Sequence, residues 1–366
     1  MGRHILTKLI VALLSAACWS QAVLAKDPLT LKQVIVRDPG INNVEALRFL
    51  APSNWKVEGG ILWRMDTWLL ATLSMRLSDP ASKASITIFP ADTFTWSQGA
   101  NFAVGGMPGR RYMGSVVMRL PDNTPDTVTH VLLPAFRPQL AQAKPVAIED
   151  LPELAKVILQ QNQEAGLQKS CQASRLRFEY NDADGTPVDE DIYAVIIRTP
   201  MPMINAVSWH LERCTSIRAE HGRLESLRPI LTTMMTSAQF GPEWVSGYNY
   251  VVQLRNQGNM QAIANAGALS RHLAENAEEI RKMNRQSYEY AQRVHDETST
   301  AFSQTIRGVE NYNVPGETNT RVELPTGYNH AWYDASGGQY VLSDDPNFDP
   351  NKHSNHSWVQ IERSPR

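Results

Sequence analysis

Three groups of residues in this chain have the types and spacing to do chemistry. The first is a run near the C-terminus, Ser343-Asp344-Asp345-Pro346-Asn347-Phe348-Asp349-Pro350-Asn351, dense in oxygen ligands. Calcium takes about six to eight oxygens on a shaped loop, so Asp344, Asp345 and Asp349 are candidate metal ligands and calcium the candidate cofactor. The same residues also favour Asx and proline turns for backbone reasons alone. The second group is aromatic: Tyr328, His330, Trp332, Tyr340 and Trp358. Exposed together they would form a ligand-binding platform for carbohydrate or peptide; buried, they would staple the tail to the rest of the chain. The third is the acidic cluster Asp182, Asp184, Asp189, Glu190 and Asp191. It departs from the EF-hand pattern at the first ligand, where Tyr180 stands, and reads as the tip of a hairpin.

Catalytic signatures are sparse. The chain has no Gly-x-Ser-x-Gly and no His-Glu-x-x-His. A hydrolase-type reading would draw on His210, His330, Asp344 and Asp345, meeting between the main region and the tail. Of three cysteines, Cys18 falls in an apolar leader, which leaves Cys171 and Cys214. An even pair in an exported chain predicts a disulfide between them, worth about 3–4 kcal/mol for a loop this long. The alternative is two buried thiols in neighbouring strands.

The leader itself is legible. Arg3 and Lys8 precede the apolar run Leu9–Ala17, and Val23-Leu24-Ala25 supplies a small-x-small cleavage site. Residues 1–25 therefore read as a secretory signal peptide, and the protein as periplasmic or extracellular. Lipoprotein anchoring through Cys18 fits less well, because Ser15 occupies the lipobox leucine position. Loss of Arg3 and Lys8 moves the formal net charge from −2 to −4, with no basic block, which argues against a nucleic-acid partner. No later apolar run approaches the roughly 20 residues of a membrane-spanning helix.

These residues must be positioned by three regions. Residues 26–242 read as a compact α+β domain, a twisted antiparallel sheet with flanking helices. Ala84–Phe89 alternates cleanly, Asp184-Gly185 marks a hairpin turn, and Leu151–Ala165 and Leu227–Thr236 read as helices. Residues 243–307 form a long helix region. Within it, 260–306 contains no proline and predicts one helix of roughly 45 residues. Its heptad stripe is thin, with Ile263, Leu273, Ile280 and Val294 the large members among Ala and Ser. Such a seam packs on its own domain or on a second copy, giving a homo-oligomer through residues 260–306. Residues 308–366 read as a small, aromatic, β-rich C-terminal module.

The order of "ALRFLAPSNW", "ASITIFPA", a central helix, "ASRLRFEY", "DIYAVIIR", "AVSWHLERCTSIRA" and "LRPILTTMMTSAQF" resembles the PsbP/DcrB-like α/β family over residues 40–240. The whole chain also resembles exported bacterial proteins ending in an "LPxGYxHxW…GxYVLSD" motif. The resemblance implies an exported accessory or binding domain without enzymatic activity. The expected function is a non-catalytic accessory protein of the cell envelope or extracellular space, with an envelope protein or carbohydrate as partner. A hydrolase and a structural oligomer are the alternatives.

Overall fold

The computed structural model describes residues 27–97, 107–112, 114–163, 167–258, 284–306, 308–315, 321–352 and 354–364. Residues 1–25, expected as a signal peptide and including Cys18, and the Ile263, Leu273 and Ile280 positions of the expected heptad stripe lie outside these. The first strands are β1 (Leu29–Asp38), β2 (Val44–Pro52), β3 (Lys56–Trp63), β4 (Ala71–Ser78), β5 (Ser85–Ile88) and β6 (Asp92–Ser97). Two short strands follow, β7 (Arg111–Tyr112) and β8 (Ser115–Val117), then a helical segment over 124–136 and β9 (Ala147–Asp150). Helix α1 (Pro152–Gln161) precedes the long strands β10 (Ser170–Asn181), β11 (Pro187–Met201) and β12 (Ala206–Glu220). Helix α2 (Arg228–Thr236), β13 (Gln239–Phe240), helix α3 (Pro242–Asn256) and helix α4 (Asn284–Ile306) lead into the tail strands. These are β14 (Val309–Asn313), β15 (Arg321–Pro325), β16 (His330–Asp334), β17 (Gln339–Ser343) and β18 (Val359–Ile361).

The strands make a ten-stranded sheet with the spine β3-β4-β5-β12-β11-β10-β9, a six-stranded sheet ordered β13-β2-β1-β17-β16-β18 and a two-stranded sheet β14-β15. Among the described residues all strand pairings are antiparallel except β6 with β8. The mixed class with antiparallel sheets and helices agrees with the expectation. The tail differs: it is no separate module, because β17 pairs with β1 from Leu29↔Leu342 to Leu31↔Tyr340. A segment of short strands has too little core of its own, and it gains one by extending a sheet that already exists. Leu31 and Leu50 from the first hairpin join Tyr312, Leu324, Tyr340 and Leu342 in one buried cluster.

The largest core lies on one face of the ten-stranded sheet, where Tyr193, Val195, Ile197 and Ile217 meet α1, α2 and α4 through Ile158, Leu231 and Phe302. The opposite face is covered by the helical segment 124–136, with Leu132 and Leu133 over Phe178 and Ile192. This arrangement overturns the expected disulfide. Cys171 packs into the first core and Cys214 into the second, with β11 between their strands, and both thiols are free. A disulfide needs Cβ atoms within about 4.5 Å, which side chains on opposite faces of a sheet do not reach.

Of the stretch expected as one 45-residue helix, Asn284–Ile306 is helical and residues 260–283 lie outside the described residues. Ahead of it α3 is a distinct helix, closed by Gly258 in a left-handed conformation (φ +74) whose N–H bonds to the Arg255 carbonyl. No helix among the described residues is long and apolar enough to cross a membrane.

The β1–β17 seam generates a stability prediction. Leu342 is fully buried, and Leu342→Ala should cost about 2–5 kcal/mol in urea unfolding. The loss should appear within a single transition, because the tail shares a sheet with β1. A separate early transition would show that the tail folds alone.

Candidate functional site

A cleft of about 810 Å³ lies between α3 and the first turns of α4. One wall is aromatic. Phe240, Trp244 and Tyr248 are spaced by four residues, so α3 and the end of β13 present them on one side. Phe240 stacks on Trp244 with ring centroids 6.4 Å apart, and Trp244 on Tyr248 at 5.4 Å. Trp63 of β3 extends the row at 6.1 Å from Tyr248. The facing wall is Ser287, Glu289, Tyr290, Ala291 and Arg293 of α4. Arg213 and His295 also line the cleft.

A buried carboxylate holds the aromatic row in place. Asp38 ends β1 and is fully buried. Its oxygens accept the indole N–H of Trp63 (2.8 Å), the indole N–H of Trp244 (2.6 Å) and the backbone N–H of Gly40 (2.8 Å). Gly40 is required by close approach, since a Cβ there would lie 2.5 Å from the Trp63 indole nitrogen. Gly241 lets α3 begin against β2: a Cβ there would sit 1.8 Å from the Glu45 carbonyl oxygen.

Arg213 reaches the cleft from a bulge. The β11–β12 register shifts between Tyr193 and Val195, and Arg213 has φ +52, a left-handed conformation uncommon outside glycine. On either side of this bulge β12 changes partner, pairing β5 through Thr215 and β6 through Leu211. The Arg213 Nε donates to Glu212 Oε1 at 3.1 Å. With Arg293 and Glu289 also lining it, the cleft lining holds two guanidinium groups and one carboxylate, and Glu212 pairs with Arg213 from beside it.

His295 fixes the α4 wall. Its Nε2 lies 2.9 Å from the Met235 carbonyl oxygen, which also accepts from Ser299 Oγ at 3.0 Å. Gln292 accepts from the Phe240 N–H and donates to the Ala238 carbonyl. Burial and, next, the Arg213 charge hold the His295 pKa below the ordinary 6.5, while the Met235 carbonyl and Asp296 oppose the shift.

The residues that the sequence singled out lie elsewhere. Trp332, Tyr340 and Trp358 are buried, so the expected platform is not exposed. It is also split between the two faces of its sheet: Trp332 and Trp358 pack with Val341 and Phe348, whereas Tyr340 and half-buried Tyr328 pack with Leu31 and Leu342. His330 faces Gln360 at 3.4 Å. Asp345 and Asp349 accept from the backbone N–H groups of Asn347 and Asn351, two residues on, which are the Asx turns. Asp344, Asp345 and Asp349 do not converge as metal ligands: among the described residues, the one trio of His, Cys, Asp or Glu donors within 4.8 Å of one another is Glu179, Asp189 and His221.

The hydrolase candidates also separate, with His210 on β12 beside Glu212 (3.6 Å) and His330 in the other sheet. A cavity of about 460 Å³ does lie between main region and tail, lined by Arg48, Asp296, Arg321 and Glu323, but by none of those four candidates. Burial raises both cysteine thiols to about 12, far from thiolate nucleophiles. The cleft's own signal was available in the sequence as the four-residue spacing of Phe240, Trp244 and Tyr248. No family model, curated protein or solved structure matches this chain.

Two predictions test this construction. Asp38→Ala leaves two indole N–H groups and the Gly40 N–H without their acceptor, at a cost of about 3 kcal/mol or more. The near-ultraviolet circular dichroism of the tryptophans should weaken with it, and Asp38→Asn should fall between. The second concerns pH. A histidine with a lowered folded pKa takes up its proton on unfolding, so its stabilising effect is complete above the ordinary 6.5 and lost as pH falls through that value. The urea midpoint of the parent should therefore fall relative to that of His295→Gln between about pH 7.5 and about pH 5.5.

Proposed function

We propose that this chain is an exported, non-catalytic binding protein that holds a flat apolar ligand carrying an anionic group in the α3–α4 cleft. The observation that carries the reading is the stacked row Phe240–Trp244–Tyr248 in the same cleft as Arg213 and Arg293. Ligand pockets are typically about 300–1,000 Å³, mostly apolar, with a few convergent polar groups, and this cleft has that size and character. The aromatic wall is pre-organised by Asp38, so little ordering cost falls on binding. The N-terminal leader supports export to the periplasm or beyond, and protein recovered from the envelope or the medium should begin at Lys26.

Titration with 2-naphthoate and its neutral analogue 2-naphthamide, followed by tryptophan emission, tests the reading. The acid should bind more tightly than the amide. Trp244→Ala and Arg213→Gln should each weaken naphthoate by about tenfold or more, the loss of one stacked or charge-assisted contact. Failure of both probes to bind, or binding that neither substitution alters, would overturn it.

A further inference from the structure

The β10–β11 hairpin carries a series of carboxylates, of which Asp189, Glu190 and Asp191 are buried, Asp182 is half-buried and Glu179 is exposed, and each but one group has a strong cation against it. Asp191 receives Arg177 and Arg228, each at 2.8 Å, with Arg175 at 3.4 Å. Glu190, on the other face, receives Arg137 and the Tyr180 hydroxyl. Asp182 receives Lys83 and Arg218. Asp189 and Glu179 are the exception. They are register partners directly across β10 and β11, and like charges so placed repel. Among the described residues neither pairs with a lysine or arginine. The basic group that meets this pair is the imidazole of His221, whose Nδ1 lies 2.7 Å from Asp189 Oδ1.

The geometry of the three is convergent. They come from separate places: Glu179 from β10, Asp189 from β11, and His221 from the turn after β12. One donor atom from each lies within 4.8 Å of the others. Asp189 is almost fully buried, and its second oxygen is fixed by the Gly222 N–H at 2.9 Å. The His221 backbone is itself pinned to the Pro187 carbonyl at 3.0 Å. His221 also lines a groove of about 840 Å³ with Glu220, Arg223, Ser53 and Asn54, which gives solvent and ions a path in.

We propose that Glu179, Asp189 and His221 form a binding site for a first-row divalent transition metal such as zinc. A divalent cation converts the cross-strand repulsion of two carboxylates into shared attraction. An imidazole in the set favours zinc, nickel or copper over calcium and magnesium, which prefer oxygen alone. His221 exchanges its hydrogen bond to Asp189 for a bond from Nδ1 to the metal. Three protein ligands leave at least one coordination position for water or for an anionic group entering from the groove. The site is independent of the α3–α4 cleft.

The test uses the full mature chain, stripped with chelator and titrated with Zn²⁺ by calorimetry and with Co²⁺ by visible absorption. One metal per chain is expected. His221→Ala and Glu179→Gln should each weaken it by about tenfold or more. Circular dichroism should show both variants folded, because both side chains are exposed. Asp189→Asn should abolish binding if it folds. Millimolar calcium should not displace the zinc. Absence of one-to-one zinc binding, binding unchanged in His221→Ala and Glu179→Gln, or displacement by calcium would each overturn the proposal.

Discussion

The docking of α4 onto the backbone between α2 and β13 is the interaction on which the rest depends. A helix end leaves carbonyl groups without partners, and α2 ends beneath α4. His295 and Ser299, one turn apart on α4, both meet the Met235 carbonyl oxygen. Gln292 pairs with the backbone of Ala238 and Phe240 as another strand would. On the other flank, Gln161 of α1 donates to the Val294 carbonyl and accepts from Thr298. A helix held by side chain–backbone hydrogen bonds has a defined rotation and height, whereas a smooth apolar stripe allows it to slide. That precision sets the width of the cleft, because α4 is one of its walls.

The same device recurs at Asp38. Its carboxylate joins the end of β1, the indole of Trp63 and the indole of Trp244. One acceptor thus ties the six-stranded sheet to β3 and α3. The tail contributes from the other side, since β17 extends β1 and Ser303 of α4 bonds to Glu323 of β15. Chain segments far apart in sequence therefore meet around β1. The N-terminal hairpin owes part of its burial to residues near the C-terminus, which is why the tail belongs to the fold rather than hanging from it.

What could be read from the sequence followed from local physics. The Asp184-Gly185 turn is present, with Gly185 at φ +83. Alternation over Ala84–Phe89 marked β5, and the helices near Leu151 and Leu227 lie within a few residues of α1 and α2. What was misread depended on partners distant in sequence. The α4 stripe looked thin because three of its buried members are polar: beside Ala301 and Phe302, His295, Thr298 and Ser299 are satisfied by α1 and α2, which no periodicity reveals. The tail aromatics looked like a platform because their strands gave no sign of the β1 edge beside Tyr340 and Tyr328, or of the Val341 and Phe348 contacts that bury Trp332 and Trp358. The cysteines looked like a bridge because spacing does not say which face of a sheet each side chain takes.

Asp189, Glu190 and Asp191 show this limit most sharply. Three consecutive acids next to a turn suggest a solvated tip, yet all three are buried within β11. Alternation sends Asp189 and Asp191 to one face and Glu190 to the other, and each face supplies its own counter-groups. Such ion networks contribute little net stability, because desolvation offsets most of the attraction. Their effect is on register. A slip of one residue along β10 or β12 would place Asp191 away from Arg175, Arg177 and Arg228, and would carry Glu190 into the guanidinium cluster's face with the wrong reach. Apolar alternation alone fixes which face a strand buries but leaves two-residue slips open. The buried charges close that freedom, and they hold the strands against which Arg213 and His221 are both placed.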